Sequence, residues 1–514
     1  MTRFDRLSLA LVVGVAALLR LPGIDARGRF DADQGHDMLT LVAFTRDGVV
    51  PLLGPKTSVG DFHHGAFYYF LLAPSAALSN GEPVAVTLFL ALLGIAAVAL
   101  TWWLARSIAG PLAGALAGLL LAVSPAAIEQ STFIWNPNPI GFFAALALAT
   151  AWRARSGNPA WWAVALGAAG AVVQLHVLGV VFLVAIVVIA LLELRRDRRV
   201  LPGLLAGISL IAIVFLPLMV HELQTGFLET QRVIAYVRGG DEGTGVGPVA
   251  ALAFTLLRVV GWPIVGVVTD VPMAAAIVLA VTIGLAALGL LRARGAEQIG
   301  LRWLVGILAW STVALAFVAP SLQRVVPGLP NDHYHAFLDP IVVILIAAPG
   351  ARLFERALAA WRSTRRPAPA VAGIAIAAGL ALLIAVALVR KPPQVDPDGG
   401  WPALRAAGER VVATAGSSPI AVWGLPTFKL ADAVAFPVAH AGGRVESFVD
   451  LPSEGALIVV ACDRLFETAI GAACGGPAED AVIDDAYGDG AGARPRLIDR
   501  FDVPPRTSIS VYGR

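Results

Sequence analysis

Between residues 31 and 37 the chain reads Asp-Ala-Asp-Gln-Gly-His-Asp, which crowds Asp31, Asp33 and Asp37 around His36 and Gln34. Such a set can move protons: a carboxylate within reach of a hydroxyl is a general base, and an imidazole donates or accepts near neutral pH. Three further stretches carry groups of this kind. Phe62-His-His-Gly-Ala-Phe-Tyr-Tyr-Phe70 places His63 and His64 before an aromatic run holding Tyr68. Phe133-Ile-Trp-Asn-Pro-Asn-Pro139 offers Asn136 and Asn138 at a helix start whose prolines fit a first turn. Asn331-Asp-His-Tyr-His-Ala-Phe-Leu-Asp-Pro340 adds His333 and Tyr334, and His176 stands between two apolar runs. Each stretch alone also fits a plainer role, as a helix cap, an interfacial aromatic belt or a polar turn.

The elements that must position these groups are set by composition. Of 514 residues 57% are hydrophobic and 14% charged, against about 25% charged in an ordinary soluble domain. Apolar runs of the length a membrane-crossing helix needs fall near 7–19, 84–105, 109–127, 139–152, 160–175, 177–192, 201–220, 273–291, 303–319, 336–350 and 369–389. The pattern predicts an all-α polytopic membrane protein of about eleven transmembrane helices. Arg20 and Pro22 stand where a signal peptide would need a small-residue cleavage site, so the first run reads as a retained helix. Residues 221–272 read as a long outer loop that dips into the interface.

Arginines sort to one side: Arg106, Arg153, Arg155, Arg195–Arg199, Arg292, Arg294 and the 352–366 cluster share a face, cytoplasmic by the positive-inside rule. The N-terminus is then cytoplasmic, and all eight histidines fall on or near the outer face. A net charge of +2 gives no reason to expect a nucleic-acid partner. After a Lys-Pro-Pro-Gln-Val-Asp-Pro linker at 391–397 the charged fraction rises and β-rich runs alternate with Ala-rich helical ones. This predicts two domains: a membrane domain, 1–390, with a functional outer loop at 23–82, and a small extracytoplasmic α/β domain, 391–514. Cys462 and Cys474 both lie in the second, either as a disulfide or as two buried thiols.

The ordered series resembles the bacterial members of glycosyltransferase family 39 and its relatives, enzymes of the GT-C fold akin to protein O-mannosyltransferases and lipid A aminoarabinose transferases. Its parts are a first-loop Asp, His-x-x-x-Tyr-Tyr before an apolar helix, Ser-Pro then Trp-Asn-Pro-Asn-Pro, and a late His-Tyr…Pro turn. The resemblance spans roughly residues 5–350. It implies inverting transfer of a sugar from a polyprenyl-phosphate carrier to a lipid, polysaccharide or protein acceptor at the outer face of the cytoplasmic membrane. The family's Asp-Glu pair falls on Asp33-Gln34, making Asp33 the general base, whereas Gln34 can hold a hydroxyl but cannot take its proton. Cationic positions of the family hold His36, His64 and His333 here. A leaving phosphate needs donors aimed at its oxygens, which would make transfer fall as pH rises through neutrality.

Lys56, the sole lysine before the tail, and Arg232, Arg238, Arg258 and Arg324 are alternative outer-face cations. The Asp and His groups also leave a divalent cation open as cofactor, although no helix shows ligand spacing for one. A transporter or lipid flippase is the competing class, but inverted repeats and midplane polar groups, its usual marks, are not evident. A scaffold presenting the tail would not need the 31–37 and 63–64 groups.

Overall fold

The structure is a computed structural model describing residues 1–57, 60–239, 246–323, 332–427, 430–446, 453, 455–487 and 494–513. Arg324 and Asn331 lie outside the described residues. After α1 (Arg3–Arg20) come α2 (Ala32–Asp47), a hairpin of β1 (Leu53–Lys56) and β2 (His63–Gly65), and α3 (Phe67–Leu78). The chain continues through α4 (Pro83–Ala109), α5 (Pro111–Val123), α6 (Pro125–Glu129), α7 (Ile140–Ser156), α8 (Trp162–Leu175), α9 (Val180–Arg196) and α10 (Leu201–Thr225). Next are α11 (Leu228–Gly239), α12 (Pro248–Val265), α13 (Pro272–Arg292), α14 (Gly295–Val318), α15 (Asp339–Thr364) and α16 (Pro367–Val389). All the apolar runs read from the sequence form helices. Eight helices among the described residues are long and apolar enough to cross a membrane, which makes this a multi-pass membrane protein.

One of those eight is α12, in the segment expected to be a loop. Its surroundings explain why the run was hard to read. Arg258 stands mid-helix, buried, and donates to both Asp332 oxygens at 2.7 and 2.8 Å and to the Leu322 carbonyl at 2.8 Å. At the helix end Arg390 donates to the Val265 carbonyl at 3.2 Å and pairs with Asp270 at 3.0 Å. A buried arginine is tolerated because its partner is buried with it, and this interrupts the hydropathy without ending the helix. At the other end of the bundle the arginines pair with acids: Arg106 with Asp5 at 2.6 and 2.7 Å, Arg352 with Glu297 at 2.7 Å, and Arg155 with Glu193.

The tail begins with α17 (Gly400–Ala415), β3 (Ile420–Leu425), α18 (Leu430–His440), β4 (Val445–Glu446) and β5 (Leu457–Asp463). It ends with α19 (Glu467–Ile470), α20 (Pro477–Tyr487), β6 (Arg496–Val503) and β7 (Thr507–Gly513). The sheet order is β4-β3-β5-β7-β6, with β4, β3 and β5 parallel and the last two antiparallel. Every residue of β5 is buried, as a central strand covered on both faces requires, and edge strand β6 is mostly exposed. Cys462 on β5 is disulfide-bonded to Cys474.

The tail docks on the segment that follows α1. Trp401 packs on Phe30 with ring centroids 4.8 Å apart and donates to Glu82 at 3.0 Å, and the Asp396 amide donates to the Ala26 carbonyl at 2.7 Å. At the closest approach, α2 lies on α18 where only glycine fits: a Cβ on Gly35 would sit 2.0 Å from the Asp432 carbonyl oxygen.

Candidate active site

The site is built around α2. Its N-cap is Asp31, whose Oδ1 accepts from the Asp33 amide at 3.2 Å, while the Gln34 side-chain oxygen accepts from the Asp31 amide at 2.9 Å. This capping box satisfies donors that a helix start leaves open. The Gln34 amide nitrogen in turn donates to the Ile134 carbonyl at 2.7 Å, tying α2 to the Trp-Asn-Pro-Asn-Pro turn. A glutamate there could not donate, so the amide has a structural reason in this chain. Asp31 and Gln34, expected to touch substrate, hold the start of the helix.

Six residues beyond the cap, Asp37 is buried and accepts from Tyr68 and Tyr69 hydroxyls, each at 2.9 Å. Burial, then the charge of Asp33, pushes its carboxyl up to about 7. Tyr68, expected at the substrate, is buried behind Asp37. Asp31 is pushed up to about 6 by burial and by Asp33.

Asp33 and Asp37 line a cleft with Lys56, His64, Trp135, Asn136, His176, His333 and Tyr334. Counting the solvent-filled space at its open mouth, it spans about 790 Å³. The β1–β2 hairpin carries Lys56 and His64 to it. Gly65 lets the hairpin close on α8, because a Cβ there would meet the Gln174 side-chain oxygen. His64 and His176 rings then lie 5.0 Å apart, and His176 lies 5.8 Å from His333 and 4.4 Å from Tyr334. Trp135 covers His333 at 4.3 Å.

His176 is buried, and burial followed by the nearby His64 and His333 holds it well below the usual imidazole range, so it is neutral at pH 7. Its Nδ1 accepts from the Leu178 amide at 3.3 Å, which places the proton on Nε2 as a donor. The short turn with His333 and Tyr334 is held from behind. Asp332 receives Arg258 and lies 3.1 Å from His335 Nε2. Arg258 is therefore a clamp and not a cleft cation.

Other expected site residues lie elsewhere. His36 pairs with Asp432 of the tail at 2.8 Å, which raises its pKa. His63 accompanies Glu229, whose carboxylate accepts from its backbone amide at 2.7 Å. Asn138 donates to the Phe133 carbonyl at 2.6 Å, closing its own turn. Asn136 donates to the Leu175 carbonyl at 2.7 Å yet remains on the cleft wall. Arg232 pairs with Glu229 at 2.7 Å, and Lys56 pairs with Asp61 at the mouth. Among the described residues no three His, Cys, Asp or Glu side chains converge as a metal-ligand group. Sequence reasoning passed over Trp135 and Glu229; the first had a signal, an aromatic directly before Asn136, and the second had none.

Comparison with known proteins gives the arrangement its class. The fold is similar over 98% of the chain to ArnT from Cupriavidus metallidurans in the apo state, at 15% identity, TM-score 0.57 and 97% coverage of that chain. The same protein bound to undecaprenyl phosphate aligns over 98% and 97% of the two chains, at 14% identity and TM-score 0.56. The arabinofuranosyltransferase AftD from Mycobacteria matches at 13% identity and TM-score 0.50, covering 100% of this chain and 41% of that one. This is the GT-C fold. The family model described as dolichyl-phosphate-mannose-protein mannosyltransferase matches residues 63–221, the stretch from His63 through α10. The chain is thus similar in fold to membrane glycosyltransferases, and over residues 63–221 it matches a family of them. A search of curated protein sequences found no match.

Proposed function

We propose that the cleft transfers a sugar from a polyprenyl-phosphate carrier to an acceptor hydroxyl at the extracytoplasmic face of the cytoplasmic membrane, with inversion. The acceptor oxygen attacks the anomeric carbon as the bond from that carbon to the phosphate oxygen breaks, and the phosphate keeps the electron pair. Asp33 takes the hydroxyl proton. The neutral His176 donates from Nε2 to the departing phosphate, with His64, His333, Tyr334 and Lys56 around it. Asp37, held by two tyrosines, sets the field around Asp33. His176 donates without being protonated, so its share of the work does not require acid.

The observation that carries this reading is the convergence of Asp33 with three histidines on one cleft wall, drawn from four distant stretches of chain. The undecaprenyl phosphate bound by the similar ArnT supports the donor class. The disulfide supports an oxidising, extracytoplasmic location for the tail. The test is incubation of purified protein with labelled polyprenyl-phosphate sugars and a membrane extract. Labelled sugar leaving the carrier for a second product supports the reading; no transfer from any donor sinks it.

A further inference from the structure

A second crevice lies across α2 from the cleft, between that helix and the tail. It is lined by Leu39 of α2, by Val422 and Trp423 of β3, and by Thr427, Asp432 and Glu446, and with its mouth spans about 850 Å³. It opens where parallel strands β3 and β4 end, the place where open α/β sheets hold ligands. Its polar groups are acceptor-rich. Asp432 is anchored on one oxygen by His36, and Glu446 is aimed by Ser453, whose hydroxyl lies 2.7 and 2.9 Å from its two oxygens.

From this geometry we infer that the crevice is a saccharide-binding subsite for the sugar-acceptor molecule. Carboxylates accept from hydroxyl donors, and an indole offers an apolar surface for the C–H face of a pyranose. The inference rests on the transferase reading of the cleft and names the acceptor class: a glycan or glycolipid headgroup with more than one sugar. The two sites are separated by one helix, about 10 Å in diameter, so an acceptor that reaches both extends beyond a single sugar. Asp432 links the sites, since the carboxylate that lines the crevice also holds His36, three residues from Asp33 and next to Asp37.

The test uses the full chain in nanodiscs, with mannotriose, chitotriose and arabinotriose as probes and saturation-transfer NMR as readout. At least one trisaccharide should bind saturably. Trp423→Ala and Glu446→Gln should each weaken it about tenfold or more, the loss of one well-placed contact, and the exposed Thr427→Val about threefold. Asp33→Asn should leave binding within twofold while abolishing transfer. No saturable binding by any probe would overturn the inference, as would binding untouched by Glu446→Gln and Thr427→Val. Tighter binding of a diamine such as putrescine, or binding lost in Asp33→Asn, would overturn it too. Failure of the catalytic reading is separate: it would appear as transfer unchanged in Asp33→Asn, whatever the trisaccharides do.

Discussion

The two faces of α2 use the same residue types to opposite ends. Toward the cleft, Asp33 and Asp37 share a wall with His64, His176 and His333, and His176 is kept neutral. Toward the tail, His36 is locked to Asp432 and Gly35 closes to backbone contact. Imidazole paired with carboxylate is a structural joint, whereas imidazoles gathered beside a carboxylate across an open cleft can address a substrate. The same contrast recurs at His63 with Glu229 and His335 with Asp332. Type and spacing therefore name candidates, and the partner decides which of them works.

The contrast can be pushed from either side. Removing the clamp with Arg258→Ala leaves Asp332 charged and buried, which should cost about 3–5 kcal/mol of stability and abolish transfer, read as a drop in melting temperature and in rate. His176→Ala should lower kcat by about 10²-fold with little change in melting temperature, because it removes one donor to developing charge. Gln34→Glu replaces the donor to Ile134 with an acceptor and should cost about 1–3 kcal/mol, measured by thermal unfolding. It should not restore any activity to an Asp33→Asn background.

A smaller effect follows from pH. Asp37, Asp31 and His36 all have raised values in the folded protein, so each binds its proton more tightly folded than unfolded. Their contribution is full below the unfolded values and is lost as pH rises, between about 4 and 6 for Asp31, about 4 and 7 for Asp37, and above about 6.5 for His36. The melting temperature should therefore be higher at pH 6 than at pH 8, by about 2 °C, and Asp37→Asn should flatten the difference.

Much of the fold was legible because hydropathy over some twenty residues is a strong signal and the arginines report a face. The α12 helix was not, since Arg258 needs Asp332, 74 residues away, to be tolerated. In the site, Asp33, Lys56, His64, Asn136, His176, His333 and Tyr334 were named from sequence and do meet at one cleft. Asp31 and Gln34 could not be separated from Asp33 by type alone, because a capping box and a general base draw on the same side chains. His36 looked like a cleft group for a similar reason: its partner lies 396 positions away, in a domain with no sequence mark of docking there.

The most direct measurement sets Asp33→Asn beside His36→Gln in the labelled-donor transfer assay. Loss of the base should lower the rate about 10²- to 10⁴-fold, whereas loss of the half-exposed seam pair should change it less than threefold. Transfer by Asp33→Asn equal to wild type, or a His36→Gln defect as deep as that of Asp33→Asn, would contradict the division of α2 into a working face and a joining face.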